Sequence, residues 1–152
     1  MSEAIHATAV LYGANGILIR GKSGAGKSSL ALALIERGGK LIADDRTMIS
    51  AVNGRLIATP PAPIVGKIEL RGHGLVTVPH ERGAVVSLVA DIVAEEGLER
   101  MPEPHQLSAM LLGITLPRQP VPEAAERGVR LVEAALGTLG ALPNGGLRMT
   151  QV

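Results

Sequence analysis

Apolar residues fall in short runs broken by glycine, proline and asparagine, the pattern of strands joined by tight turns, with two stretches of helical spacing set among them. Residues 7–12 and 17–20 form two such runs around Gly13-Ala14-Asn15-Gly16. They predict an antiparallel hairpin that turns on the positive φ angles of Asn15-Gly16. Leu30, Ala31, Leu34 and Ile35 mark one face of a helix over residues 29–37, which Gly38-Gly39 ends. Leu41-Ile42-Ala43 reads as a short buried strand running into Asp44-Asp45. Residues 47–52 and 55–58, separated by Asn53-Gly54, predict a second hairpin.

Pro60-Pro61-Ala62-Pro63 breaks regular structure, and residues 64–78, interrupted by Gly66, Gly72 and Gly74, read as a loop with flanking strands. A buried strand is expected over residues 84–94, a surface connection over 95–105, and an edge strand at Ile114-Thr115-Leu116, stopped by Pro117. From Glu123 onward, Ala125, Val129, Val132, Leu136 and Leu139 alternate steps of four and three and so lie in one stripe of a helix, with Glu126 and Arg130 paired on the other side. The order of elements predicts an α/β fold: a single domain over residues 1–142 with a mixed sheet, followed by a frayed tail over 143–152.

Composition narrows the function. Tyr12 is the only aromatic among 152 residues and the net charge is +1, so the chain has neither a stacking platform nor a basic field for nucleic acid. Adenine stacking depends on that one tyrosine, so little discrimination between ATP and GTP is expected. No apolar run approaches the roughly 20 residues that span a bilayer, and no signal-like segment opens the chain, so neither a membrane partner nor secretion is expected and the location is cytoplasmic. Without cysteine there is no disulfide, thiolate metal site or cysteine nucleophile.

Between the run at residues 17–19 and the first helix stands Gly21-Lys22-Ser23-Gly24-Ala25-Gly26-Lys27-Ser28, which has the spacing of a phosphate loop. Its glycines let successive backbone N–H groups converge on phosphate oxygens, Lys27 reaches the terminal phosphates, and Ser28 offers a hydroxyl to Mg²⁺. A nucleoside triphosphate is the expected ligand. Phosphoryl transfer also needs a proton acceptor and a hold on the metal. Asp44-Asp45 is the candidate for both, on the expectation that its strand lies beside the phosphate-loop strand, with one carboxylate toward the metal and the other toward a nucleophile. Taken alone, Glu69 with Arg71 is a surface ion pair and His6 an ordinary terminal histidine, while His73, His80 and His105 show no metal-ligand spacing.

The segments Gly13 to Ser28, Ala31 to Gly38, Leu41 to Arg46 and Ile68-Glu69-Leu70-Arg71-Gly72-His73-Gly74 follow one another in the order of HPr kinase/phosphorylase, whose C-terminal catalytic domain the first half of the chain resembles. The resemblance implies an enzyme that uses ATP or pyrophosphate, with Mg²⁺, to phosphorylate a serine of an HPr-type phosphocarrier protein of the phosphotransferase system. It also implies the reverse reaction, in which inorganic phosphate removes that group as pyrophosphate. By position, His6 matches the family's active-site histidine, Lys27 its phosphate-loop lysine, and Ser28 and Glu69 its two Mg²⁺ ligands. Asp45 matches the proton acceptor, supported by Asp44, and Glu99-Arg100 aligns with an Asp-Arg pair whose arginine is catalytic.

The departures carry expectations of their own. The usual N-terminal domain of the family has no counterpart, Ser29 replaces a usual glutamate at a position expected to face outward, and the segment around Arg118 differs from one tied to dephosphorylation. Kinase activity is therefore expected to exceed phosphorylase activity, and a homo-oligomer stays open. Two rival functions fit the same loop: a small-molecule kinase or NTPase, and an ATP-sensing module without catalysis.

Overall fold

The computed structural model describes residues 1–61 and 65–140. In chain order the strands are β1 (Ser2–Ile5), β2 (Thr8–Tyr12), β3 (Asn15–Arg20), β4 (Lys40–Ala43), β5 (Thr47–Val52), β6 (Arg55–Thr59), β7 (Lys67–Leu70), β8 (Gly74–Thr77), β9 (Ala84–Ile92), β10 (Ser108–Leu111) and β11 (Ile114–Val121). Two helices, α1 (Lys27–Glu36) and α2 (Ala125–Thr138), and two short 3₁₀ turns, Glu95–Gly97 and Pro104–Leu107, complete the fold. Nine strands form one mixed sheet in the order β1-β5-β6-β9-β3-β2-β4, with β11 joining β9 to β10, while β7 and β8 pair separately as a ribbon.

The sheet is apolar on both faces, and strand periodicity explains it. Along β3, Ile17 and Ile19 face α1 and α2 together with Val10, Leu88 and Ala90. Leu18 points the other way, into a second core formed by Ala9, Ile42, Ile49, Leu56 and Val89. The stripe on α2 seats Val129, Val132 and Leu136, whereas Leu139 lies beyond the helix end and is 47% exposed. Helix α1 ends as its glycines require: Gly38 takes a φ of 98°, and the amides of Gly38 and Gly39 bond back to the carbonyls of Ile35 and Leu34.

Three sequence expectations need correction. The first hairpin turns on Gly13-Ala14, not on Asn15-Gly16: Tyr12 pairs with Asn15, and only Gly13 of the two turn residues has a positive φ. Gly16 instead lies where a Cβ would come within 2.4 Å of the Val85 carbonyl oxygen, so its missing side chain admits the neighbouring strand. Pro117 does not stop its strand. β11 continues to Val121, pairing with β10 up to Pro117 and with β9 from Arg118, so each half is bonded along one side and tolerates a residue without an N–H. Lastly, β4 does not adjoin β3, because β2 lies between them, antiparallel to both. β3 and β4 thus run the same way, and their carboxyl ends still share one edge of the sheet. The strands β1 and β10 lacked a sequence signal, the proline run reaches residues 62–64 outside the described residues, and so does the tail expected over 143–152.

At that same edge, β3, β9 and β11 share a partly buried ionic cluster. Arg20 grips Asp91 with two hydrogen bonds, at 2.7 and 2.8 Å, and Arg118 donates to the same carboxylate and to the Gln106 carbonyl. Burial alone would raise the Asp91 carboxyl, but the bonds from Arg20 and Arg118 outweigh it and hold it below the usual carboxylate value. A lowered folded value contributes stability that is complete above the unfolded value of about 3.9 and is lost as the pH falls through the folded one. Asp91→Asn is therefore expected to lower the urea midpoint at pH 7, with the gap to the parent narrowing below about pH 4. Equal midpoints at pH 7 would contradict this account of the cluster.

Candidate functional site

The phosphate loop leaves β3 after Arg20 and passes directly into α1 at Lys27. Gly24 and Gly26 have φ of 80° and 107°, conformations that strain residues with a Cβ, and Gly26 is the N-cap of α1. The loop is therefore a built cradle at a helix N-terminus, where free amides and the helix dipole favour an anion. Lys27 is 5% exposed, and its Nζ donates to the carbonyls of Gly21 and Lys22 at 3.1 and 3.0 Å, so the ammonium is held by the loop it completes.

Asp44 joins this cradle to the sheet and to the ribbon. Its Oδ1 accepts from the Ser28 hydroxyl at 2.7 Å and from the Thr8 hydroxyl at 3.2 Å, and its Oδ2 accepts from the Glu69 backbone N–H at 3.1 Å. Asp45 sits in the left-handed region at a φ of 65°, its N–H bonded to the Thr8 hydroxyl oxygen at 2.9 Å. Its Oδ1 lies 3.5 Å from His6 Nδ1. The two carboxylates thus serve different partners, while the Thr8 hydroxyl bonds to both residues.

A cavity of about 400 Å³ opens among these groups. Ser23, Gly24, Gly26, Lys27 and Ser28 line it from the loop and helix, Asp44 and Asp45 from the end of β4, and Ile68, Glu69, Leu70 and Arg71 from the ribbon. Among the described residues no three His, Cys, Asp or Glu side chains form a ready metal cage. The donor set suits Mg²⁺ nonetheless. A serine hydroxyl and carboxylate oxygens are hard ligands, and Mg²⁺ commonly binds through one or two protein groups plus substrate phosphates. Since Ser28 spends its only hydroxyl hydrogen on Asp44, the lone pairs of its oxygen are left for a cation.

The sequence profile of the HPr serine kinase C-terminal domain matches residues 1–140. The chain belongs to that family. Among its relatives, the HPr kinase/phosphorylase of Clostridium tetani is 48% identical over 77 residues, which make up 51% of this chain and 25% of that protein. The enzyme of the same name from Clostridium acetobutylicum is 46% identical over 76 residues, again 25% of its length. The matched region thus spans about a quarter of these relatives. The solved structure of the Hpr(Ser) kinase/phosphatase from Coxiella burnetii matches with a TM-score of 0.71 and 30% identity, covering 86% of this chain and 97% of that one.

Against the site expected of an HPr kinase domain, the structure sets Lys27, Ser28, Asp44, Asp45 and Glu69 around one cavity with His6 beside Asp45, and Arg100 is not among its lining residues. Arg100 is exposed in the connection between the two 3₁₀ turns and takes no part in lining the cavity. Arg71 does, and its guanidinium lies about 4.0 Å from where a Cβ of Gly24 would stand, so the cation beside the loop comes from the ribbon. Ser29 is helical and exposed, as expected, and it also lies on the lining of the cavity. Tyr12 is shut in the core with its hydroxyl donating to Glu133 at 2.8 Å, which removes the only ring from base stacking; burial first, and then Glu133, push its phenol up to about 12. No helix among the described residues is long and apolar enough to cross a membrane.

Thr8 escaped the sequence reading, and Arg71, read there as a surface partner of Glu69, lines the cavity. Thr8 looks like any β-branched residue of a buried strand, and no spacing rule links it to Asp44 thirty-six residues on. Arg71 did carry a signal, standing two residues after Glu69 before a flexible glycine.

If the cradle binds the triphosphate, removing its one buried ammonium should weaken binding more than folding. Lys27→Ala is expected to lose roughly 10- to 100-fold in ATP affinity by calorimetry, the worth of a charge-assisted contact of about 1.5–3 kcal/mol. Unchanged affinity would remove the phosphate loop from nucleotide binding.

Proposed function

We propose that this chain is a Mg²⁺-dependent protein serine kinase that transfers the γ-phosphoryl group of ATP, or a phosphoryl group of pyrophosphate, to a serine of an HPr-type phosphocarrier. The observation that carries this reading is the division of labour at Asp44-Asp45. One carboxylate is bonded to the metal-site serine, and its neighbour faces the same cavity unbonded to it, 3.5 Å from His6. Membership of the HPr serine kinase C-terminal domain family supports the choice of a carrier-protein serine over a metabolite hydroxyl.

Each step belongs to a residue of this chain. The amides of the loop and Lys27 hold the triphosphate, and the N-terminus of α1 faces its charge. Ser28, kept in its rotamer by Asp44, and the Glu69 carboxylate would hold Mg²⁺, which supplies charge neutralisation at the phosphate oxygens when bound. Asp45 accepts the hydrogen of the substrate serine as the serine oxygen bonds to phosphorus and the bond to the leaving phosphate breaks. His6 stands beside it to orient that carboxylate. Arg71 is placed to meet negative charge at the mouth of the loop.

The reverse reaction needs a held inorganic phosphate. Arg118, the cation nearest the altered family segment, is already committed to Asp91 and the Gln106 carbonyl, which favours the kinase direction.

The test is incubation with ATP, Mg²⁺ and a purified HPr-type carrier, read by the mass of the intact carrier and the position of the added phosphate. Phosphoserine on the carrier is expected. ATP hydrolysis with an unmodified carrier would replace this reading by an NTPase. Asp45→Asn should lower kcat by roughly 10²–10⁴ with nucleotide affinity nearly unchanged, as the loss of a general base does. A normal rate in that variant would take the proton-accepting role away from Asp45.

A further inference from the structure

Thr8 makes two contacts that no substrate-facing residue makes. It lies in β2, wholly buried, and its hydroxyl donates to Asp44 Oδ1 at 3.2 Å while accepting the backbone N–H of Asp45 at 2.9 Å. One hydroxyl has one hydrogen and two lone pairs, so both bonds are made at once without competition. Among the described residues, Thr8 is the side chain that bonds to both aspartates.

The placement matters because Asp45 is held in a backbone conformation that residues with a Cβ seldom adopt, at a φ of 65°. Such a conformation persists only where surrounding bonds hold it, and the bond to its N–H comes from Thr8. A valine would fill the same space in the strand but could neither anchor that N–H nor donate to Asp44. The strand β2 thereby reaches across to the end of β4 with a polar group in an otherwise apolar run.

We propose that Thr8 is a positioning residue of this site: through one buried hydroxyl it sets Asp44, which holds the metal-site serine, and Asp45, which takes the substrate proton. This rests on the kinase reading for Asp45 but not for Asp44, whose bond to Ser28 bears on any Mg²⁺-nucleotide complex.

The experiment compares Thr8→Val, which removes the hydroxyl and keeps the shape, with Thr8→Ser, which keeps the hydroxyl and removes a methyl. Calorimetry measures the Mg²⁺ dependence of affinity for an ATP analogue with an imido β,γ bridge, and turnover is measured on the carrier at saturating nucleotide. Thr8→Val should raise the Mg²⁺ requirement and lower kcat, each by roughly 10- to 100-fold, the range seen for residues that orient metal ligands. Thr8→Ser should restore both to within a fewfold of the parent, although it loses more packing.

Parental Mg²⁺ dependence and kcat in Thr8→Val would overturn the proposal, as would a serine variant as impaired as the valine one. Should Thr8→Val fail to fold, Thr8→Ala enters the same assays. A parent chain that binds the analogue with Mg²⁺ but transfers nothing to the carrier defeats the kinase reading alone, and the Mg²⁺ titration then decides the part played by Thr8.

Discussion

The Asp44 carboxylate is the point on which the site depends. Three elements far apart in sequence donate to it: the first turn of α1 through Ser28, β2 through Thr8, and β7 through the Glu69 amide. The third of these bonds ties the separate β7–β8 ribbon to the main sheet at the cavity and brings Glu69 and Arg71 within reach of the phosphate loop. A neutral hydrogen bond contributes about 1 kcal/mol, but those made to a carboxylate contribute more, and a carboxylate left unbonded in this partly buried place would be costly. Asp44 therefore ties Ser28, Thr8 and the Glu69 amide together before any ligand arrives, the preorganisation on which the proposed phosphoryl transfer would draw.

The sheet makes that convergence available. Because β2 runs antiparallel between β3 and β4, the phosphate loop and the two aspartates leave the same edge one strand apart. Thr8, on the intervening strand, bonds to both aspartates at the end of β4. At the same edge β9 and β11 close with the Arg20-Asp91-Arg118 cluster, which spends those guanidinium groups on structure. Among the described residues, the cations that line the cavity are Lys27 and Arg71.

Much of this was legible in the sequence, for reasons that are local. Glycine spacing gave the phosphate loop, Asn53-Gly54 gave the second hairpin with φ of 50° and 76°, and the stripe of steps of four and three gave α2. Such features are set by residues close together in the chain. What escaped was non-local. The turn falls on Gly13-Ala14 and not on Asn15-Gly16, and Gly16 lies instead against Val85, sixty-nine residues on. The run of β11 through Pro117 was decided by having a partner on one side only, and the intervening position of β2 by sheet order. In the site, Lys27, Ser28, Asp44, Asp45 and Glu69 line one cavity without Arg100, and Thr8 bonds to Asp44 without any motif signal. Its hydroxyl acquires a purpose only when the end of β4 is folded against it.

The most direct measurement is a crystal structure with Mg²⁺ and a non-hydrolysable ATP analogue. The account predicts the phosphates in the loop between Gly21 and Ser28, Mg²⁺ bound by the Ser28 hydroxyl oxygen with the hydrogen of that hydroxyl still directed to Asp44, and Asp45 left free beside the terminal phosphate. A metal ligated elsewhere, or an Asp44 carboxylate detached from Ser28 when the nucleotide is bound, would contradict it.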